Sequence, residues 1–116
     1  MCGITGFVSL NPSGEPGTII ERMTESIRHR GPDDFGYYRD PYASLGFRRL
    51  AIIDVSGGHQ PMPNEDESCW IVFNGEIFNH ASLRPGLEAA GHRYTTRSDT
   101  ETILHAYEEY GASCVQ

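Results

Sequence analysis

The sequence predicts an α+β fold, in which short strands and helices follow one another irregularly. Segments rich in β-branched and aromatic residues are interspersed with segments whose apolar residues recur at helical spacing. The order lacks the regular strand–helix–strand alternation of a parallel α/β sheet. The 13 glycines and 7 prolines among 116 residues indicate many turns. This length allows one domain or part of one.

The first third predicts a strand and then a helix. Residues 4–10 are rich in β-branched and apolar side chains and predict a strand, and residues 11–14 predict a turn. Thr18 with Glu21 three residues later has the form of a capping box, so we expect a helix over about 18–29. Gly31-Pro32 should end it. Its apolar face is predicted to consist of Ile19, Ile20, Met23 and Ile27.

The middle third predicts short strands and loops. Strands are expected at about 35–39, 43–47 and 49–53, followed by a loop over 54–63. Residues 69–73 form a continuous apolar run, which predicts a strand buried on both faces. Asn74-Gly75 then turns the chain.

The last third predicts two helices. Asn79 is a candidate cap for the first, and Gly91 should close it. Proline outside the first turn of a helix removes a hydrogen bond, so the helix could instead begin at Ser82, which would place Pro85 in the first turn. Residues 94–96 predict a short strand, and Ser98 with Glu101 forms a second capping box before a helix that ends at Gly111. The apolar faces are expected to be Leu83, Leu87 and Ala90 in the first helix, and Ile103, Leu104, Tyr107 and Tyr110 in the second.

Charge and cysteine content exclude several classes. The net charge of −7 argues against a nucleic acid or an anionic membrane as partner. No apolar run approaches the roughly 18 residues of a membrane span, and the N-terminus does not have the form of a signal peptide. The three cysteines are a poor disulfide framework, so we expect a reducing cytoplasm.

Cys2 is the strongest candidate for chemistry. Once Met1 is removed, this residue carries both a thiol nucleophile and an α-amino group that can act as its base. An amine with a pKa of about 8 suits a base near neutrality. The alternative is that Cys2 is a small buried residue at a chain start. Cys69 is expected to be buried and inert, and Cys114 follows the last helix with no base nearby in sequence.

Other constellations are weaker. No histidine has zinc-like spacing with a cysteine, so we expect no metal site. The sequence also allows a catalytic pair of Cys2 with His29. Ser56-Gly57-Gly58 is interpreted as a loop, because no lysine follows where a nucleotide-binding loop would need one.

Five segments, taken in order, resemble one family. They are Met1-Cys2-Gly3-Ile4, Arg28-His29-Arg30-Gly31-Pro32-Asp33, Arg49-Leu50-Ala51-Ile52-Ile53-Asp54, Asn74-Gly75-Glu76-Ile77-Phe78-Asn79 and Ser98-Asp99-Thr100-Glu101. This set resembles the glutaminase domain of glutamine-hydrolysing asparagine synthetases, which is an N-terminal-nucleophile (class II) amidotransferase. The resemblance covers nearly the whole chain. Amidotransferases that make glucosamine phosphate or phosphoribosylamine share the cysteine and a similar Asn-Gly, but the other segments look less like theirs.

The resemblance implies roles for particular residues. Asn74 and Gly75 would donate to the oxyanion that forms after attack by Cys2, although Asn-Gly alone more often indicates a hairpin turn. The substrate α-carboxylate would bind Arg49, whose neighbour Arg48 is the same residue type. Backbone groups of Ile52 and Ile53 would hold the substrate, and Glu76 and Asp99 would bind its α-ammonium. Read without the family, Asp99 is a helix cap shared with Ser98, and Glu76 is an edge-strand charge.

The resemblance also implies an activity, partners and a larger fold. The expected reaction converts L-glutamine and water to glutamate and ammonia through a Cys2 thioester. A C-terminal synthetase domain, with ATP and Mg²⁺, would use the ammonia to amidate aspartate; no cofactor is expected in residues 1–116 themselves. The implied fold is a four-layer αββα sandwich of which these residues are the N-terminal part, so we expect an incomplete domain in a possible homodimer. The alternatives are the glutaminase domain of another amidotransferase and a non-catalytic truncated binding fragment.

Overall fold

The computed structural model describes residues 1–11, 17–51 and 57–116. The chain forms two compact units. The first comprises Met1–Pro61 and Val72–Asn74, and the second comprises Met62–Ile71 and Gly75–Gln116. Helices and strands are mixed in sequence, as the α+β prediction requires. None of the described helices is long and apolar enough to cross a membrane.

An antiparallel three-stranded sheet organises the first unit. Its strands are β1 (Gly3–Val8), β2 (Asp34–Arg39) and β3 (Ala43–Arg49), in the order β1-β3-β2. In the register, Gly3 pairs with Arg48, and Asp34 pairs with Arg49. The predicted strands at 35–39 and 43–47 are therefore confirmed, and the strand predicted at 4–10 is confirmed as far as Val8, where β1 ends. The predicted strand at 49–53 is not: Arg49 ends β3, residues 50 and 51 are not in a strand, and residues 52–53 lie outside the described part.

Helix α1 (Thr18–Ser26) packs on one face of this sheet and is followed by a 3₁₀ helix, Arg28–Arg30. Its residues Ile20 and Thr24 are fully buried. The predicted capping box is wrong, because Gly17 is the N-cap and no side chain caps the helix. The Glu21 carboxylate instead lies 2.6 Å from the Arg39 guanidinium on β2.

Asp40 closes the β2–β3 hairpin. Its Oδ1 accepts the backbone N–H groups of Tyr42 and Ala43, both at 2.7 Å, and its Oδ2 accepts the Tyr38 hydroxyl at 2.6 Å. The Tyr38 hydroxyl, followed by the two backbone donors, lowers the pKa of Asp40 below its ordinary value of 3.8. The ionised carboxylate is thus the form that holds the turn.

In the second unit, β4 (Met62–Pro63) pairs with β5 (Trp70–Ile71). The prediction of a strand over 69–73, buried on both faces, is wrong: only two residues are in the strand, and the whole run is partly exposed. Asn64 binds the start of the run through its side chain, whose Oδ1 accepts the Cys69 N–H at 3.0 Å. An apolar run by itself does not show how many neighbours a segment finds.

Helix α2 spans His80–Ala89 and has Asn79 as its N-cap, without a side-chain cap bond. It therefore begins before Ser82 and contains Pro85 in its interior. Leu87 is buried, whereas Leu83 is 41% exposed, so only part of the predicted face is confirmed. Gly91 ends the helix as predicted, with a φ of 105° that few other residues adopt.

Helix α3 spans Asp99–Tyr110 and is followed by a 3₁₀ helix, Gly111–Val115. The Ser98 cap is confirmed, because its side chain accepts the Thr100 N–H at 3.2 Å. The buried face includes Leu104 and also His105, whereas the predicted members Tyr107 and Tyr110 are exposed.

Glu101 does not complete the capping box. Its carboxylate accepts the N–H groups of Thr95 and Thr96, both at 2.7 Å, and both of their hydroxyls. Residues 94–96 therefore wrap around a buried carboxylate, and the predicted strand there is wrong. The spacing of residues 94–96 could not show this, because the accepting carboxylate of Glu101 belongs to the helix that follows them.

Candidate active site

Cys2 lies at the start of β1, directly before Gly3. Its thiol is partly exposed, and its Sγ accepts the Leu50 N–H at 3.5 Å. Its carbonyl oxygen accepts the Arg30 Nε–H at 3.2 Å. The nucleophile candidate is therefore held from two sides, by the chain beyond β3 and by the 3₁₀ helix after α1.

Arg49 shares a sheet face with Cys2. Gly3 pairs with Arg48 in the antiparallel register, so the residues that flank this pair, Cys2 and Arg49, fall on the opposite face by alternation. The Arg49 guanidinium donates to the Gly57 carbonyl at 2.8 Å. Asp33 fixes the following segment, because its N–H donates to the Arg49 carbonyl at 3.0 Å and its carboxylate accepts the Ala51 N–H at 2.8 Å.

The register also distinguishes Arg49 from Arg48. Arg48 is 4% exposed, lies over the Phe35 ring at 5.4 Å, and approaches the Glu25 carboxylate of α1 at 3.4 Å. It belongs to the α1 side of the sheet. Only Arg49 lies on the face of Cys2, a distinction that residue type could not make. Ile52 and Ile53, the other predicted groups of this segment, lie outside the described residues.

A hydrogen-bonded pair next to Arg49 was not found from the sequence. The His59 Nδ1 and the Asp34 Oδ2 are 2.8 Å apart. Burial raises the pKa of Asp34, but the hydrogen bond to His59, the Phe35 N–H and the charge of Arg49 together lower it below its usual value. Twenty-five positions separate Asp34 and His59, so no motif spacing could have signalled the pair.

Asn74 belongs to the first unit, and Gly75 to the second. The Gln60 side chain, which is 5% exposed, accepts the Phe73 N–H at 2.6 Å and so fixes the segment that leads to Asn74. Asn74-Gly75 does not join two strands, because β5 ends at Ile71 and the next element is α2. The hairpin interpretation is therefore wrong.

Glu76 and Asp99 both lie in the second unit. The Asp99 Oδ2 accepts the Ile77 N–H at 2.8 Å, which ties the segment containing Glu76 to the start of α3. Ser98 makes the cap bond, so Asp99 is not the capping side chain. Glu76 is exposed.

The structure thus places Cys2, Arg49 and Asn74 in the first unit, and Gly75, Glu76 and Asp99 in the second. Their roles around a single glutamine molecule stay a prediction.

Comparison with known proteins identifies the family. All of residues 1–116 match the family described as "Glutamine amidotransferase domain". The chain belongs to this family. The domain is 47% identical over 113 residues to asparagine synthetase (glutamine-hydrolyzing) 1 of Bacillus subtilis, a match that covers 95% of this chain and 18% of the relative.

The glutamine amidotransferase domain is similar to two further proteins of this kind. It is 39% identical to asparagine synthetase (glutamine-hydrolyzing) 3 of Bacillus subtilis, over 99% of this chain and 19% of the relative. It is 40% identical to asparagine synthetase (glutamine-hydrolyzing) of Brassica oleracea, over 99% of this chain and 20% of the relative. The chain spans about a fifth of the length of these relatives.

Two other residues of the amidotransferase domain were considered for the chemistry at Cys2: Cys69 as another thiol and His29 as a side-chain base. Cys69 is partly exposed, as Cys2 and Cys114 are, so burial does not explain why it would be inert. His29 lies in the 3₁₀ helix Arg28–Arg30, where no residue is buried. Among the described residues, no hydrogen bond joins the His29 ring to Cys2, so the structure gives that pair no support.

Proposed function

We propose that this chain is the glutaminase part of a glutamine-hydrolysing asparagine synthetase. It would convert L-glutamine and water to L-glutamate and ammonia. The observation that carries the proposal is the position of Cys2: it directly follows Met1, and it shares a sheet face with Arg49 in a chain that matches the amidotransferase family throughout.

The chemistry begins with removal of Met1, because only then does the Cys2 nitrogen have a basic lone pair. The amine takes the thiol proton, and the thiolate attacks the side-chain amide carbon of glutamine. The C–N bond breaks, ammonia leaves with the proton returned by the amine, and a γ-glutamyl thioester remains. Water, deprotonated by the same amine, then attacks the thioester and releases glutamate and the thiol.

Charge develops on the amide oxygen during both attacks. We assign the Asn74 side-chain NH₂ and the Gly75 N–H as the donors that stabilise it. The contact of Gln60 with Phe73 supports this assignment, since a buried side chain fixes the backbone immediately before Asn74. Donors held in advance are worth more than donors that must be ordered during the reaction.

The substrate's own charges require partners of opposite sign. Arg49 offers a planar fork to the α-carboxylate, together with backbone groups of Ile52 and Ile53. Glu76 and Asp99 offer carboxylates to the α-ammonium. The bond from Ile77 to Asp99 supports their shared role, because it holds both residues in one local arrangement.

The proposal extends to the protein of which this chain is a part. The similarity to asparagine synthetases supports a C-terminal synthetase domain, where ATP and Mg²⁺ would activate aspartate for attack by ammonia. The chain would form part of a four-layer sandwich, and the full-length protein would be a homodimer. A reducing cytoplasm suits this chemistry, because an oxidised Cys2 could not attack.

The test is a covalent trap on the full-length protein. A diazo-ketone glutamine analogue should label Cys2, and Cys2→Ala should abolish both labelling and glutaminase activity. Cys69→Ala and Cys114→Ala are matched controls, because these thiols have comparable exposure. Label on Cys69 or Cys114 alone would contradict the assignment. Transfer of amide ¹⁵N from glutamine to aspartate tests the acceptor, and transfer to another carboxylate would indicate a different amidotransferase.

A further inference from the structure

Two histidines and two glutamates meet at one point in the second unit. Glu65 follows β4, His92 follows the end of α2, and His105 and Glu108 lie on α3. One nitrogen or oxygen from each lies within 4.8 Å of one from every other. Three separate parts of the unit thus bring metal-binding groups together, and none of them is assigned to glutamine hydrolysis.

The four histidine–glutamate distances in this cluster lie close to those around a tetrahedral ion. The His105 Nδ1 lies 2.9 Å from the Glu108 Oε2 and 3.7 Å from the Glu65 Oε1. The His92 Nδ1 lies 3.5 Å from the Glu108 Oε2 and 3.8 Å from the Glu65 Oε1. Ligands about 2.0–2.1 Å from a tetrahedral centre are roughly 3.3–3.4 Å apart, so the four distances bracket the required value.

Each histidine has a carboxylate behind it. The His92 Nε2, on the far side of the ring from Nδ1, lies 3.0 Å from the Glu109 Oε2. The His105 Nε2 lies 3.5 Å from the Glu101 Oε1. A carboxylate that faces the second ring nitrogen is the usual support of a metal-bound histidine, because it fixes the tautomer and the ring orientation.

The burial of His105 is the independent observation. Its side chain is 1% exposed, and its Nδ1 faces the two glutamates, while its Nε2 has no hydrogen-bond partner among the described residues. The Tyr94 ring lies edge-on at 4.6 Å and restricts rotation of the imidazole. An ion bound at Nδ1 would place the ring proton on Nε2, the nitrogen that faces the Glu101 carboxylate.

The negative charge of the cluster also favours a bound cation. The described salt bridges of Glu65, Glu101, Glu108 and Glu109 all run to the two histidines. With neutral imidazoles, these four carboxylates form a strongly negative group. A divalent ion would reduce the repulsion between them and use the histidines in the neutral form that ligation requires.

We propose that Glu65, His92, His105 and Glu108 bind one divalent transition-metal ion of the zinc class. Two imidazole nitrogens favour such an ion over Mg²⁺ or Ca²⁺, which prefer oxygen ligands. The ion links the β4–β5 turn, the α2–α3 connection and α3, so its role is to stabilise the second unit. The spacing of histidines with cysteines could not reveal this site, because its ligands are two histidines and two glutamates.

The experiment measures zinc binding to the full-length protein after removal of metal with a chelator. Titration with Zn²⁺ should show one more high-affinity ion per chain in the unaltered protein than in His92→Gln. Co²⁺ at this site should give the intense visible absorption of tetrahedral coordination. His80→Gln, which changes a histidine of the same unit outside the cluster, should bind the same number of ions as the unaltered protein.

Glu109→Gln supplies a second measurement that does not depend on a core residue. The Glu109 side chain is 40% exposed, so this variant should fold, yet it should bind Zn²⁺ about 10–100-fold more weakly because His92 loses its supporting carboxylate. Equal zinc stoichiometry and affinity in the unaltered protein, His92→Gln and Glu109→Gln would overturn the proposal. So would an equal loss in His80→Gln, or the weak absorption of six-coordinate Co²⁺.

Discussion

Replacing Gly46 with alanine should force α1 away from the sheet. Gly46 lies in the middle of β3, between Thr5 of β1 and Tyr37 of β2. A Cβ built on Gly46 would overlap the Thr24 hydroxyl and would lie 2.9 Å from the Thr5 Cγ2 and 3.3 Å from the Ile20 Cδ1. The neighbours on both the helix and the adjacent strand are therefore too close for a methyl group.

Thr24 cannot relieve this overlap without a cost. It is fully buried, and its hydroxyl donates to the Ile20 carbonyl at 2.7 Å. Moving α1 outward is an overpacking change that costs about 1–3 kcal/mol. Breaking the buried hydrogen bond costs about 1–3 kcal/mol as well. Since the protein takes the cheaper route, Gly46→Ala should lower the free energy of unfolding by about 1–3 kcal/mol.

The assay is urea unfolding of the full-length protein, followed by hydrogen exchange in peptides that cover α1 and β3. Gly86→Ala is the matched control, because nothing lies within 4 Å of its added Cβ, and alanine in a helix should stabilise by about 0.5–1 kcal/mol. Adding Gly46→Ala to a Thr24→Ala background should cost much less than adding it to the unaltered protein. The reasoning is refuted if the cost of Gly46→Ala is the same in both backgrounds.

Four further predictions concern the active site and the pH dependence of stability. Arg49→Lys should raise the KM for glutamine, because lysine keeps the charge but loses the fork; an unchanged KM would contradict its role. Asn74→Ala should lower kcat by about 10²–10³-fold, and an effect on KM alone would argue against an oxyanion role. An uncleavable residue ahead of Cys2 should abolish glutamine hydrolysis at equal folded concentration, whereas full activity would exclude the α-amine as base. Asp40 has a lowered pKa in the folded state, so its contribution to stability is present above its unfolded pKa and is lost as the pH falls through the folded pKa. Asp40→Asn should therefore flatten the acid limb of a curve of unfolding free energy against pH. An unchanged acid limb would refute the assignment.

Local sequence patterns determined the secondary structure that depends on a few consecutive residues. Alternation and β-branched content predicted β1, β2 and β3. Ser98 and Gly111 predicted the ends of α3. These predictions succeeded because a cap or a left-handed glycine acts within one or two turns of its own position. Cys2 was likewise recognisable from its place directly behind Met1.

Only the tertiary structure decided which partner each polar or apolar group finds. The register of β3 with β1 separated Arg49 from Arg48, and Glu101 bound residues 95 and 96 although its spacing from Ser98 predicted a capping box. In the apolar run at 69–73, only Trp70 and Ile71 form a strand, and this strand pairs with β4 alone.

The cluster around His105 shows the same limit most clearly. Its members come from residue 65 to residue 108 and meet only because α3 carries His105 and Glu108 to the segments that contain Glu65 and His92. Local sequence determines which residues can form a helix or cap it, because those interactions span a few positions. Contacts between distant segments depend on strand register and helix packing, and these are properties of the folded chain as a whole.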